Sequence, residues 1–167
     1  MDKMPPYHID HVDAWVGKEI GLTDWFLIDQ ARIDAFAKAT NDFNPLHVDP
    51  KWSAQGPFGR TIAHGFLTLS LLSFFSYEAQ LQPGGVDYGI NYGFDRVRFM
   101  APVKVDDRIR NRTVLVGYNP LGKDRWVFKT RNTVEIESAP KPALVATWLG
   151  MYVKDPEATA LKPRKPL

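Results

Sequence analysis

Between Thr40 and Pro50 the chain reads TNDFNPLHVDP, and among its side chains Asp42, Asn44, His47 and Asp49 are of types that bind water or move protons. Asp42, Asn44 and His47 fall within six residues of irregular chain, where side chains can converge without the fixed spacing of a helix. A carboxylate and an imidazole that share one water can remove a proton and return one, the general acid–base work that adds water across a double bond or takes it away. Histidine suits that task because its pKa lies near neutrality. A carbonyl oxygen that gathers charge in such a reaction needs a donor, and the N–H of Gly65, at the start of a helical pattern, can supply it. Glycine there also admits a ligand closely. The same residue types favour solvated turns, so the stretch is either a turn or a site.

Other polar residues carry less. His47, Asp49 and His64 can be written as a metal set, but neither HxxxH nor HExxH spacing supports them; no metal is assigned, and His64 is read as structural. His8 and His11 fall in an N-terminal arm where solvated histidines are expected. Arg96, Arg98, Arg108, Arg110 and Arg112 recur at strand spacing and read as the wet face of a sheet, with a phosphate-bearing ligand as the alternative. Asn111-Arg112-Thr113 has the form of a glycosylation sequon and is read as chance.

The elements that must hold the stretch are legible around it. After the short apolar run Trp25 to Ile28, Asp29 can cap a helix whose Ile33, Phe36, Ala37 and Thr40 follow the i, i+3, i+4, i+7 stripe. Pro45, Pro50, Gly56, Pro57 and Gly59 keep 41–60 from being one regular element, which predicts a long ordered or gated loop. From about His64 to Gln80 the pattern is apolar nearly all round, which predicts a buried helix stopped by Pro83-Gly84-Gly85. The rest reads as strand. Arg125 to Glu137 alternates, with Trp126, Phe128, Thr130, Val134 and Ile136 on one side. Between Tyr88 and Phe99 the apolar parity switches, which predicts a bulge near Asp95. Leu144 to Val153 is apolar on both faces, as expected of a central strand or one at a subunit contact.

One buried helix followed by four long strands is an α+β plan, an antiparallel sheet wrapped on a central helix. The 167 residues are expected to form one domain, 1–167, with ends at about 1–6 and 154–167 that fray. With 21 basic and 19 acidic residues there is no bulk charge to attract nucleic acid. No apolar run approaches the ~20 residues that span a bilayer, and no export signal precedes the first element. A soluble, cytoplasmic protein without a membrane or nucleic-acid partner is expected. Zero cysteines exclude disulfides, thiolate nucleophiles and cysteine metal sites.

DFNPLHVDP followed by FGRTIAHGFLTLSLLS resembles the MaoC-like dehydratases, the family of (R)-specific enoyl-CoA hydratases with the hot dog fold. The likeness covers most of the chain, since DWFLIDQARIDAFAKATNDFNPLHVDP and INYGFDRVRFMAPV look like the NodN-like branch. The resemblance implies a catalytic dyad of Asp42 and His47, an ordering amide at Asn44, and a thioester-oxygen donor at Gly65. It also implies a substrate-binding position at Ser73, which lines the acyl pocket; Ser76, one turn on, should share its face, and Phe66 is read as a substrate-binding residue beside them. It further implies a homodimer or larger assembly with the acyl thioester near the subunit interface, and no cofactor beyond the CoA of the substrate. Asn41 departs from the glycine usual in the family, although asparagine also tolerates positive φ.

The reading that follows is reversible hydration of trans-2-enoyl thioesters, a hydro-lyase reaction of fatty acid metabolism. Two others compete. A thioesterase of the same fold would direct water at the thioester carbonyl, and a non-catalytic acyl-thioester binder would need neither Asp42 nor His47.

Overall fold

Alternating burial organises the sheet. Along Arg108–Pro120, Ile109, Asn111, Thr113 and Leu115 are buried while Arg108, Arg110 and Arg112 face out, as a strand with one core face requires. The computed structural model describes residues 7–137 and 139–155. Of the ends expected to fray, 1–6 and 156–167 lie outside the described residues.

In chain order a 3-10 turn, Ile9–Trp15, is followed by β1 (Glu19–Leu22), β2 (Phe26–Leu27), α1 (Gln30–Thr40), α2 (Pro45–Val48), α3 (Pro50–Ala54) and α4 (Gly65–Glu78). Four long strands complete the fold: β3 (Tyr88–Phe99), β4 (Arg108–Pro120), β5 (Arg125–Ile136) and β6 (Leu144–Val153). The sheet is antiparallel, in the order β1-β4-β5-β6-β3, with β2 also on β4. Leu67, Leu71, Leu72 and Phe75 of α4 are buried with Ile109, Val134, Leu144 and Ala146 of the strands. Burying each large apolar side chain in that layer stabilises the fold by about 1.5–3 kcal/mol. This is the α+β hot dog arrangement, a sheet around a central helix.

Strand β6 lies between β5 and β3, which accounts for its apolar character on both faces. The pairing of β3 with β6 shifts register between Phe94 and Arg96, the bulge expected at Asp95, and again between Asn91 and Gly93. The outward arginines form an ion-pair ladder: Arg108 with Glu137, Arg110 with Glu135, and Arg112 with Glu135 and Glu19. Asn111 is buried and hydrogen-bonded to Thr113 and Asn132, so its sequon is not presented to solvent.

Three expectations need correction. The segment 41–60 is not a loop throughout, because Asn44-Pro45 and Asp49-Pro50 each act as an N-cap followed by a first-turn proline and start the short helices α2 and α3. Helix α4 is not buried all round, since Phe66 (68%) and Tyr77 (79%) are exposed, and it ends at Glu78, before Pro83-Gly84-Gly85. The N-terminal arm is ordered from Tyr7: Tyr7 and Val12 are buried in a second cluster with Ile20, Leu81, Leu115 and Phe128. His8 bonds there to the main chain of Asp10.

Candidate active site

Asp42 follows the C-terminus of α1, where Asn41 takes the left-handed conformation (φ 58°) that its type tolerates. The N–H of Asp42 donates to the Ala37 carbonyl at 3.1 Å, which pins its main chain to the last turn. Asn44 Oδ1 accepts from Leu46 N at 3.1 Å, and its carbonyl accepts from His47 N at 2.8 Å. The asparagine therefore orders the turn that carries His47, and its main-chain N–H, rather than its side chain, meets the Asp42 carboxylate, 3.4 Å from Oδ1.

His47 Nδ1 lies 2.7 Å from the Ile62 carbonyl. A carbonyl only accepts, so Nδ1 carries the proton and Nε2 of the neutral ring keeps a free lone pair. The His47 carbonyl accepts at 2.8 Å from Gln30 Nε2, which also donates to Asp34, while Gln30 Oε1 accepts from the buried Thr61 hydroxyl. Residues 61–63 are held on both sides, Ile62 N by Leu46 O, and Ala63 N and Thr61 O by 103–105. Gln30 as a clamp was not legible beforehand; only its place next to the Asp29 cap hinted at a fixed position.

His64 is the larger surprise. Read from sequence as structural, it is 3% exposed and stacks on His47 with ring centroids 3.7 Å apart and planes 27° from parallel. Its Nε2 donates to the Asp42 carbonyl at 3.0 Å and lies 3.9 Å from the Asp42 carboxylate. Side-chain atoms of Asp42, His47 and His64 all come within 4.8 Å of one another. Two hydrogen bonds of ~2.8 Å meeting at one water span roughly 4.6 Å, so the cluster is sized for a shared water.

Burial, the largest influence, holds the His47 imidazole below the ordinary histidine value; the bond to Ile62 opposes it, the His64 ring adds to it, and the Asp42 charge opposes it. The net effect favours a neutral ring. For a cation the same trio is poorly arranged. Imidazole lone pairs lie in the ring planes, so nearly parallel stacked rings aim them side by side instead of at one ion. Asp49, the carboxylate of the metal set considered earlier, instead caps α3 through Lys51 N and Trp52 N.

Beside His47 opens a pocket of about 360 Å³, lined by Gly65, Thr68, Phe99, Val103 and Ala143 among others. Gly65 is the first residue of α4, where main-chain N–H groups lack partners within the helix. A Cβ at Gly65 would sit 3.1 Å from the Phe99 ring, so a side chain would crowd the pocket wall. Phe66 does not line this pocket; it is exposed and meets Phe99 edge-on at 6.0 Å. Nor do Ser73 and Ser76. They line a second groove of about 480 Å³ with Tyr77, Gln80, Asn91 and Trp148. The structure thus groups Asp42 with His47 and His64, sets Gly65 with His47 on the pocket wall, gives Asn44 a supporting place, and leaves Ser73, Ser76 and Phe66 outside that pocket.

The family model for the MaoC like domain matches residues 11–138. The chain belongs to the MaoC-like dehydratase family. Within this family it is 45% identical over 146 residues to nodulation protein N of Rhizobium leguminosarum bv. viciae, covering 87% of this chain and 91% of that protein. It is 44% identical over 140 residues to 3-hydroxyacyl-thioester dehydratase Z of Mycobacterium tuberculosis, covering 84% and 92%. Among solved structures, the (R)-hydratase from A. caviae superposes with a TM-score of 0.63 at 28% identity, covering 81% of this MaoC-like chain and 94% of that one. Among the described residues, no helix of this family member is long and apolar enough to cross a membrane.

Proposed function

We propose that the chain is a hydro-lyase that adds water to trans-2-enoyl-CoA thioesters to give (R)-3-hydroxyacyl thioesters, and catalyses the reverse dehydration. The observation that carries this reading is the Nδ1–H bond of His47 to Ile62, which leaves Nε2 free as a base on a ring grouped with the Asp42 carboxylate. As the water oxygen bonds to Cβ, one of its protons passes to His47 Nε2, while Asp42 accepts the other O–H and holds the water. The double-bond electrons move onto the thioester, and the Gly65 N–H meets the charge gathering on its oxygen. The imidazolium then returns its proton to Cα on the same face. Water is added, no net proton is gained, and no electron transfer is involved, so CoA enters only as part of the substrate and no other cofactor or metal is needed.

The acyl chain would extend from Gly65 along α4 toward Ser73, eight residues on and ~12 Å away at ~1.5 Å per residue. Phe66 and Ser76 would border the same path. Its completion calls for a second copy of the chain. Edge strand β3 exposes Ile90, Tyr92 and Phe94, and α4 exposes Phe66 and Tyr77, an apolar surface suited to a homodimer that encloses the thioester. A cytoplasmic place in fatty acid metabolism fits such substrates. The dehydratase name carried by the mycobacterial relative supports the reading.

The test is conversion of crotonyl-CoA and its six- and eight-carbon homologues, followed by loss of the enoyl absorbance with chiral and thiol analysis of the product. (R)-3-Hydroxyacyl-CoA without free thiol is expected at all three lengths. Free thiol would move the chain to the thioesterases, and unchanged absorbance throughout would overturn the hydratase reading. Turnover confined to crotonyl-CoA would remove Ser73 and Ser76 from the acyl path.

A further inference from the structure

We infer that His64 is a positioning residue for the Asp42–His47 pair: its Nε2–H holds the Asp42 main chain while its ring face holds the His47 imidazole in plane. The inference rests on the hydratase reading only for its kinetic consequence.

His64 occupies the N-cap position of α4, yet its side chain makes no capping bond. Serine or aspartate would serve that helix better. Its Nδ1 is buried without a hydrogen-bond partner among the described residues, an arrangement that is destabilising for an ordinary polar group. If the position needed only an aromatic filler between Phe36, 5.1 Å away, and His47, phenylalanine would avoid that cost. What phenylalanine lacks is the donor to Asp42.

The placement also has a geometric consequence. Asp42 hangs from the end of α1, His47 sits on α2 and Gly65 begins α4, so three separate elements must be brought into register. His64 bonds to the first, stacks on the second and is covalently joined to the third. The two rings also lock each other. His47 donates to the carbonyl of Ile62, two residues before His64, and His64 donates to the carbonyl of Asp42, five before His47. Misplacing a reacting group by about 1 Å can cost ~10²-fold in rate, so one ring that holds both partners bears on turnover more than on binding.

The titratable groups that face His47 are Asp42, from the end of α1, and His64, from the start of α4. Asp34, also on α1, is engaged by Gln30. Replacing His64 by a neutral ring of similar bulk keeps the burial but removes the neighbour that disfavours charge on His47, so the His47 pKa should rise.

The experiment compares His64→Phe, which keeps the stacking, with His64→Gln, whose amide can still donate to Asp42. The expected result for His64→Phe is a ~10- to 100-fold loss of kcat with KM changed by less than about 3-fold, on the scale of misplacement effects, and an acid limb of kcat/KM moved to higher pH. In His64→Gln most of the kcat should return while the limb stays displaced. Folded variants with wild-type kcat and an unmoved limb would overturn the inference. Should a variant fail to fold, NMR of the wild type decides. Nε2-protonated His64 and Nδ1-protonated His47 are expected, and Nδ1-protonated His64 would overturn the inference. The NMR tautomers are readable even if no thioester is turned over, which separates this test from that of the hydratase reading.

Discussion

His47 and His64 face each other across 3.7 Å, and each gives its ring N–H to a main-chain carbonyl beside the other's element, Ile62 for His47 and Asp42 for His64. Exchanged bonds of this kind fix both tautomers and leave one accessible lone pair, Nε2 of His47, at the mouth of the pocket. The Asp42 carboxylate, 55% exposed, lies 3.9 Å from His64 Nε2.

If these two groups handle the water, Asp42→Asn and His47→Gln should each lower kcat for hydration by ~10²-fold or more, the usual size of general acid–base effects. Both variants should stay folded, since neither side chain belongs to the apolar core. Initial rates with crotonyl-CoA check this, and near-parental turnover in either variant would remove that residue from the mechanism.

The pH dependence has a definite sign. His47 is held below the ordinary histidine value by its burial, so the neutral, base-competent ring persists below the usual histidine midpoint of ~6.5. The acid limb of kcat/KM should fall there. For stability, the unfolded chain takes up the proton first as pH drops, so the folded state should lose stability below pH ~6.5 as far as this group is concerned. A limb at or above the ordinary value would contradict the placement of His47.

Gln30→Ala should loosen the site from behind. It removes the donor to the His47 carbonyl and leaves the Thr61 hydroxyl, 1% exposed, without its acceptor. A loss of about 1–3 kcal/mol is expected from the orphaned group, together with reduced kcat. Denaturant titration and initial rates would show both; unaltered stability would mean that Thr61 finds another partner.

Charge on the β3 edge should separate the proposed copies. Ile90→Asp places a carboxylate where a half-exposed apolar side chain stands, and sedimentation should move from dimer toward monomer with loss of activity. A variant that stays dimeric would place the interface elsewhere.

Much of this was legible in the sequence because it depends on local physics. Asp29 capped the first helix, Asn41 took its positive φ, the parity switch marked the bulge at Asp95, and the doubly apolar β6 proved central. The spacing of Asp42, His47 and Gly65 along the chain carried the family. Misreadings arose where two local signals competed. Asn44-Pro45 and Asp49-Pro50 read as breakers along the chain, although the same pairs start helices.

The sequence by itself determined the family and the α+β plan, because motif and hydrophobic pattern are local, and through the family's motif it named Asp42, His47 and Gly65 as candidates. Only the tertiary structure decided that His64 stacks on His47, that Gln30 clamps it, and that Ser73 and Ser76 line a different groove. Those outcomes depend on how α1, α2 and α4 meet in space, and contacts between residues 17 to 31 positions apart, as with Gln30 to His47 and Thr61, leave no periodic trace along the chain.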